Sequence, residues 1–287
     1  MKISGFTIIK NAIINDYPIV EAVSSILPMV NEMIVLVGDC DDNTRALIAS
    51  IPSDKIKIID SVWDPSLREG GKVLAVETDK ALSYVSADSD WAFYIQADEV
   101  VHEKYHAAIL KNAENYLNDK KVEGLLFKYV HFYGSYDYVG DSRKWYHREI
   151  RIIRNNKEIQ SYRDAQGFRM HNKKLKVKLI DACIYHYGWV KNPDLMKEKI
   201  KNLNKLWHDD NLSELRASVF NYDDFDSIKK FEDTHPAVMK ARILRKNWQI
   251  ELDVNKKKMP FKKRLLYWIE KNTGVRLFDY KNYILLK

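Results

Sequence analysis

The sequence has few cysteines and no long apolar segment. Only Cys40 and Cys183 occur among its 287 residues, and they form no CxxC pair. Neither a disulfide framework nor a cysteine-based zinc site is therefore expected. No run of about 18 apolar residues could span a membrane, and the N-terminus lacks the long apolar region and cleavage site of a signal peptide. These absences predict a cytoplasmic protein without a transmembrane helix.

Internal repeats and low-complexity linkers are also lacking. The chain is 46% hydrophobic and 30% charged, which supplies a sizeable core and excludes a disordered or collagen-like protein. At this length we expect one main α/β body with an appendage.

Positive charge is concentrated near the C-terminus. The net charge is +7, and Lys256 to Lys287 contains ten Lys or Arg residues against Glu270 and Asp279. A nearly neutral body argues against nucleic acid wrapped over it. The basic tail also carries apolar residues at helical spacing, so it could lie on an anionic membrane surface or pack its apolar face on the body.

Apolar runs rich in β-branched residues alternate with helix-length segments in the first half of the chain. This alternation predicts βα units that form a mostly parallel sheet flanked by helices. The predicted strands are Phe6 to Ile9, Met33 to Val37, Ile56 to Ile59 and Trp91 to Ile95, and the predicted helices are Tyr17 to Met29, Lys72 to Tyr84 and His102 to Tyr116. We expect Asp16 to be the N-cap of the first helix, with Pro18 at its first position.

Longer strand-like runs appear between Val122 and Ile153, which predicts that the sheet becomes mixed or antiparallel there. A further strand ends near His186, and Pro193 opens a charged helix. A polar, weakly patterned segment begins near Ser213. We therefore predict a domain over residues 1–212 and a mainly helical, basic extension over residues 213–287.

The strand W-A-F-Y-I runs directly into Q-A-D-E, which places Asp98 and Glu99 at the carboxyl end of a buried strand. Open α/β sheets bind ligands at such strand ends. Carboxylates there can hold Mg²⁺ or Mn²⁺ together with substrate phosphates. The alternative is that both residues only favour the start of the next helix through its dipole.

Three segments in this order, F-T-I-I-K-N-A, V-L-V-G-D-C-D-D-N-T and W-A-F-Y-I-Q-A-D-E, resemble family 2 of the glycosyltransferases. In that family the first strand ends in an Asn-containing turn, the second in a loop closing in D-x-T, and the fourth in D-x-D. The resemblance covers roughly Lys2 to Lys201. It implies a GT-A fold, a nucleotide-sugar donor of UDP type and a divalent cation, Mn²⁺ or Mg²⁺.

The resemblance also implies donor-binding residues, with two departures. Gln96 replaces the first acidic residue of D-x-D, so metal binding falls on Asp98, and the amide is expected to bond a ribose hydroxyl. The second loop begins V-G-D, which leaves Asp39 or Asp41 to recognise the base. The remaining matches are Lys10, Asn11, Asp42 and Thr44. Asp42 could equally be a turn-forming residue.

The stretch L-R-E-G-G-K precedes a helix and offers a phosphate contact through Arg68, Gly71 and Lys72. Adjacent glycines let backbone N–H groups approach an anion, and the two cations could neutralise it. A plain flexible loop explains the stretch as well, and it is no P-loop.

Two further residues follow from the resemblance. His186 matches the family's late histidine and would complete the metal site beside Asp98, although a histidine among aromatics is often a core residue. Asp164 falls where the family has its acidic base; Asp137, Asp141 and Asp181 are the other candidate carboxylates. The alternative for Asp164 is a solvated aspartate paired with Arg163 or Arg169.

An aromatic-rich stretch after the metal strand offers acceptor contacts by stacking and hydroxyl recognition. The candidates are Tyr133, Tyr136, Asp141 and Trp145. A hairpin whose aromatics cover the sheet is an equal alternative.

The resemblance implies an inverting glycosyltransferase that acts on a saccharide or lipid-linked acceptor in surface polysaccharide or lipopolysaccharide synthesis. Such an enzyme could work at the inner face of the membrane. The alternatives are a sugar nucleotidyltransferase, which would need a glycine-rich phosphate loop after the first strand, and a non-catalytic carbohydrate or nucleic-acid binding module. No nucleic-acid partner is expected.

Overall fold

The computed structural model describes residues 1–67, 69–204 and 210–287. Its N-terminal half is a parallel sheet with the strand order β3-β2-β1-β4. These strands are β1 (Ile3–Ile9), β2 (Glu32–Val37), β3 (Ile56–Asp60) and β4 (Trp91–Tyr94). The predicted βα alternation is confirmed, because all residues of β1, β2 and β4 are buried, as expected for strands covered on both faces.

The helices of this half are α1 (Ile19–Ile26), α2 (Thr44–Ala49), α3 (Lys72–Ser83) and α4 (His106–Asn115). Three of them were predicted; α2 is too short to show a clear helical period. The prediction that Asp16 caps α1 was wrong. The residue before α1 is Pro18, while Asp16 has a left-handed backbone with φ 46° and its carbonyl oxygen accepts hydrogen bonds from Lys191 and Arg242.

The second half of the sheet is mixed, as predicted. Antiparallel β8 (Arg148–Arg154) lies between β4 and β6 (Gly124–Tyr133), and β6 continues to β7 (Ser135–Gly140). The long strand β12 (Lys176–Trp189) runs parallel to β6 and antiparallel to β5 (Glu99–Val101). Because β5 follows β4 directly, this pairing brings the end of β12 beside the end of β4.

A separate three-stranded sheet lies over α3. It consists of β9 (Ile159–Tyr162), β10 (Gly167–Met170) and β11 (Lys173–Lys174). Phe168 of β10 packs against Phe6 and Tyr94 of the main sheet, with ring centroids 6.3 Å and 5.6 Å apart. The loop between β9 and β10, which contains Asp164, is therefore anchored close to the end of β4.

The rest of the chain contains α5 (Pro193–Asn204), α6 (Asp210–Ser218), β13 (Ile228–Lys230), α7 (Lys240–Leu244), α8 (Phe261–Thr273) and β14 (Ile284–Leu285). β13 extends the main sheet beside β7, and β14 pairs with β12. The segment after Ser213 thus adds two strands and much loop to its helices, and the domain boundary there stays a prediction. No helix in the described part of the chain is long and apolar enough to cross a membrane.

Candidate functional site

A cleft of about 310 Å³ opens at the carboxyl ends of β1 and β4 and is called the first cleft. Six side chains singled out from the sequence line it: Lys10, Asn11, Gln96, Asp98, Asp164 and His186. They come from β1, β4, the β9–β10 loop and β12. The fold therefore brings together residues that lie up to 176 positions apart, at the edge where open α/β sheets bind ligands.

The turn after β1 is locked to the turn after β2. Asn11 has φ 55° and exchanges hydrogen bonds with Asp41, whose N–H and carboxylate each lie 2.8 Å from the Asn11 amide. Lys10 donates to Asp39 at 2.7 Å. Burial alone would raise the pKa of Asp39, but the bond from Lys10 and the backbone N–H of Trp63 lower it. Asp39 thus fixes Lys10 at the mouth of the cleft.

Asp42 has a structural role here. Its carboxylate accepts the N–H groups of Ile13 and Ile14, both at 2.9 Å, and that of Thr44. Burial would raise its pKa, but these bonds lower it. Asp42 does not line the first cleft. These contacts favour the turn-forming alternative for Asp42, and a direct donor contact through it stays a prediction.

Asp98 and His186 face one another in the first cleft. His186 pairs with Glu99 in the β12–β5 register, which places its Nε2 at 3.6 Å from Asp98 Oδ1. Gly188 makes this approach possible, since a Cβ there would lie 2.5 Å from Asp98 Oδ2 and 2.6 Å from His186 Cε1. A carboxylate oxygen and an imidazole nitrogen, both potential metal ligands, thus face the same small space.

Lysine residues that sequence reasoning missed surround Asp98. Lys199 on α5 is buried, and its Nζ donates to Asp98 Oδ2 at 3.2 Å and to the Gly188 carbonyl at 2.8 Å. Lys191 is fully buried nearby, and both ammonium groups lie over the ring of Tyr17, at 4.8 Å for Lys199 and 5.2 Å for Lys191. Neither lysine is part of a recognisable motif; the charged helix after Pro193 was the only signal.

Burial would raise the pKa of Asp98, but the charges of His186 and Lys199 hold it well below its usual range. Burial also lowers the pKa of His186, against the attraction of Asp98. The lowered pKa of His186 favours a neutral imidazole near pH 7, and Lys199 places a positive charge beside Asp98. An ionised carboxylate beside a neutral imidazole is a suitable ligand pair for a divalent cation.

Glu99 is committed to the fold. Arg151, buried on β8, binds it with two parallel hydrogen bonds of 2.7 Å, and the Tyr129 hydroxyl donates a third at 2.7 Å. Both charged side chains are almost completely buried. Its oxygens are therefore occupied, and the suggested metal-binding role of Glu99 is corrected. This paired arrangement holds β5 and the turn before it against β8.

The backbone is strained at the two residues that flank Asp164. Arg163 and Ala165 have φ values of 57° and 60°, a region that non-glycine residues rarely adopt. Gln96 donates to the Ala165 carbonyl at 3.4 Å, and Gln166 donates to Asp164 at 3.1 Å. Arg169 instead bonds the carbonyls of Phe168 and Asn282. Asp164 therefore points into the cleft and forms no ion pair with Arg163 or Arg169 among the described residues.

The glycine-rich loop gives a weaker match. Arg68 lies outside the described residues. Gly71 has φ 69° and is the N-cap residue of α3, so the glycine serves the backbone turn before the helix. Lys72 is exposed and, like Gly71, does not line the first cleft. Trp63 does line it, with a buried indole N–H that lacks a hydrogen-bond partner in the described structure, and was not recognised from the sequence.

The predicted acceptor aromatics have a different location. Tyr133 and Tyr136 are buried among Tyr222, Phe225 and Tyr187, and burial raises the pKa of Tyr136 to about 12. Both lie in the core, as in the alternative of a hairpin covering the sheet, and their acceptor role stays a prediction. Trp145 stacks on His131, with ring centroids 5.2 Å apart, beside a cleft separate from the first. Asp141 also lies there and binds Tyr267 and Lys271, which anchors α8.

Metal binding by the protein alone would be limited to a pair of ligands. Among the described residues, no group of three or more His, Cys, Asp or Glu side chains could hold a metal ion. Asp98 Oδ1 and His186 Nε2 are close enough to contact one cation. The pair therefore fits an ion that takes its other ligands from phosphate oxygens and water.

No protein-family model and no curated protein matches the chain. Among solved structures, it is similar to glucosyl-3-phosphoglycerate synthase from Mycobacterium tuberculosis in complex with Mn²⁺, UDP and phosphoglyceric acid, with 18% identity, a TM-score of 0.32 and coverage of 45% of this chain and 43% of that chain. It is also similar to S. aureus TarS 1-349 in complex with UDP, with 14% identity, a TM-score of 0.39 and coverage of 74% and 68%. The chain thus spans less than half of the synthase. Such low scores describe partial overlap only, so the assignments below depend on the geometry of this chain.

Proposed function

We propose that the chain is a GT-A-type glycosyltransferase that moves a sugar from a nucleotide-diphosphate donor, of UDP type, to an acceptor hydroxyl. The observation that carries this proposal is the ionised Asp98 facing His186 at the carboxyl end of β4, with Lys199 bonded to it. The turn after β1 enters the same cleft with Lys10 and Asn11. Carboxylate, imidazole and ammonium groups converging at parallel strand ends suit a diphosphate and its cation.

The nucleobase, ribose and diphosphate of the donor can each be assigned to different residues of the first cleft. Trp63, beside Lys10, offers an aromatic face to the nucleobase. Gln96 donates its amide to Ala165, which leaves its carbonyl oxygen for a ribose hydroxyl. Asp98 and His186 would hold Mn²⁺ or Mg²⁺, which supplies Lewis-acid stabilisation of the departing diphosphate. Lys199 adds a fixed positive charge at the same place.

Asp164 is the proposed general base of an inverting transfer. It accepts the proton of the acceptor hydroxyl while that oxygen forms a bond to the anomeric carbon. The bond from the anomeric carbon to the diphosphate oxygen breaks, and its electron pair leaves with UDP. Support comes from the position of Asp164 in the first cleft and from the strained turn that holds it there.

We further propose that α8 contacts an anionic membrane surface, which suits a lipid-linked acceptor of surface polysaccharide or lipopolysaccharide synthesis at the cytoplasmic face. Phe261, Leu265 and Trp268 form a stripe on α8 with exposures of 82%, 48% and 61%. Lys262, Lys263 and Arg264 lie between them. Asp141 anchors the helix through Tyr267 and Lys271, so this stripe is left facing outward.

The proposed function is tested by nucleotide binding and donor turnover. UDP with Mn²⁺ should raise the melting temperature of the wild type by several degrees, since a ligand at 100 times its Kd adds about 2.7 kcal/mol. Asp98→Asn should abolish the metal-dependent part of this shift and lower hydrolysis of UDP-sugars by roughly 10²-fold or more. Asp88→Asn, an exposed aspartate paired with Lys2, is the matched control. Metal-dependent turnover that survives Asp98→Asn would refute the site.

A further inference from the structure

A second cleft of about 430 Å³ adjoins the first and shares Gln96 and Asp164 with it. Its other walls come from the β7–β8 connection, the start of β8 and the segment after α8. The cationic side chains in its lining are Arg143, Lys144, Arg148, Arg151 and Arg276. A molecule bound in this cleft would therefore have a direct path to the proposed base.

Two of these guanidinium groups are held rigidly in place. Arg143 donates to Glu270 at 2.7 Å and to the Leu277 carbonyl. Arg276 donates to Asp279 at 3.0 Å and to the carbonyls of Arg143 and Trp145. These bonds tie the C-terminal segment to the β7–β8 connection and form a preorganised wall. Arg151 is neutralised by its buried pair with Glu99.

Arg148 and Lys144 are the cations left for a ligand. Neither forms an ion pair with a carboxylate among the described residues, although most neighbouring cations do. The Nε of Arg148 is buried and has no hydrogen-bond partner in the described structure. A buried guanidinium N–H without an acceptor carries a desolvation cost that an anionic ligand would remove.

The titration of His147 is consistent with a positive field in the cleft, whereas that of Glu149 reflects burial. Burial, followed by the charges of Arg276, Arg148 and Arg143, lowers the pKa of His147 to about 4 against the attraction of Asp279. Burial raises the pKa of Glu149 to about 7, so part of this carboxyl is neutral near physiological pH. The anionic residues of the lining therefore compensate its cations incompletely.

We propose that the second cleft binds a phosphate group of the acceptor, with Arg148 and Lys144 as its ligands and Arg143 and Arg276 as a fixed cationic wall. This inference rests on the proposed function, because it takes the shared Asp164 edge as the place of transfer. An arginine presents paired N–H donors that match phosphate oxygens. Two cations together suit a phosphate dianion better than they suit a singly charged carboxylate. The acceptor class is therefore a phosphorylated saccharide or polyol, soluble or lipid-linked.

Calorimetric titration tests the proposal with the donor cleft filled by UDP and Mn²⁺. Glucose 6-phosphate should bind, and inorganic phosphate more weakly, whereas glucose and glucuronate should bind at least tenfold less tightly than glucose 6-phosphate. Arg148→Gln and Lys144→Gln should each weaken glucose 6-phosphate binding about tenfold or more, as loss of a charge-assisted hydrogen bond implies. Arg45→Gln, which removes an exposed arginine of α2, should leave it unchanged.

Equal binding of glucose and glucose 6-phosphate, or full phosphate binding in both cleft variants, would overturn the phosphate assignment. Equal binding of glucuronate would overturn the preference for phosphate over carboxylate. Retained UDP binding in the variants shows that they are folded. If UDP binds and glucose 6-phosphate does not, this inference fails and the proposed function stands. If glucose 6-phosphate binds and UDP does not, the proposed function fails, although the second cleft binds phosphate. Competition by short-chain phosphatidic acid would identify a lipid phosphate as the source.

Discussion

The ammonium group of Lys199 lies 3.2 Å from Asp98 Oδ2, although the two residues are 101 positions apart in sequence. The bond connects α5 to the turn after β4, and the second bond of Lys199, to Gly188, ties the same ammonium to β12. This geometry keeps the carboxylate ionised in a buried place. It also leaves a fixed positive charge where a diphosphate would bind.

Replacing Lys199 tests its role at the diphosphate. Lys199→Met keeps the apolar stem over Tyr17 but removes the charge, so kcat/KM for donor turnover should fall roughly 10- to 100-fold, by analogy with other electrostatic groups. Lys197→Met, on the exposed face of α5, is the matched control. Steady-state rates at several Mn²⁺ concentrations provide the measurement. An unchanged kcat/KM in Lys199→Met would remove this lysine from the donor site.

Asp164→Asn should separate chemistry from donor binding. The amide cannot accept the hydroxyl proton, so kcat for transfer should fall by about 10²- to 10⁴-fold. UDP binding, measured by thermal shift, should remain within a factor of about two because the asparagine retains the hydrogen bond to Gln166. Asp181→Asn changes an exposed carboxylate on β12 and serves as the control. Equal loss of UDP binding and turnover would instead indicate a donor-binding role.

Asp79 on α3 gives a pH-dependent stability prediction. Burial raises its pKa to about 6, although the Ser161 N–H lowers it in part. A carboxyl with a raised folded-state pKa destabilises the fold once ionised, and this penalty grows between about pH 4 and pH 6. Asp79→Asn should therefore raise the free energy of unfolding by about 1–2 kcal/mol at pH 7.5, and much less at pH 4.5.

Denaturant unfolding at both pH values measures the effect of Asp79→Asn. Asp54→Asn, an exposed aspartate, should show no such pH-dependent difference. An Asp79→Asn variant that is less stable at both pH values would mean that the hydrogen bond to Ser161 outweighs the cost of burying the charge.

The membrane proposal predicts binding to vesicles that contain phosphatidylglycerol but not to vesicles of phosphatidylcholine alone. Trp268→Ser should weaken that binding about tenfold, since burying one large apolar side chain contributes roughly 1.5–3 kcal/mol. Tyr84→Ser, an exposed aromatic on the body, should have no effect. Sedimentation with vesicles at low and high salt provides the measurement. Equal binding of both variants and the wild type would exclude α8 as the contact.

Much of the fold follows from local patterns in the sequence. The buried strands β1, β2 and β4 show as apolar runs because both of their faces are covered, and α3 and α4 show a helical period. The meeting of Asn11 and Asp98 could also be predicted, because parallel strands end at one edge of a sheet. The position of His186 beside Asp98 was implied only by the family resemblance. The short helix α2 and the small β9–β11 sheet were missed, since neither is long enough to establish a period.

The tertiary structure decided which polar residues serve the cleft and which serve the fold. Three acidic residues follow strands in the sequence: Asp42, Glu99 and Asp98. In the structure, Asp42 accepts hydrogen bonds from backbone N–H groups, and the carboxylate of Glu99 is bound by Arg151. Only the packing of α5 reveals that Lys199 is bonded to Asp98. Partners this distant leave no local period or motif, because their contact depends on sheet register and helix docking rather than on neighbouring residues.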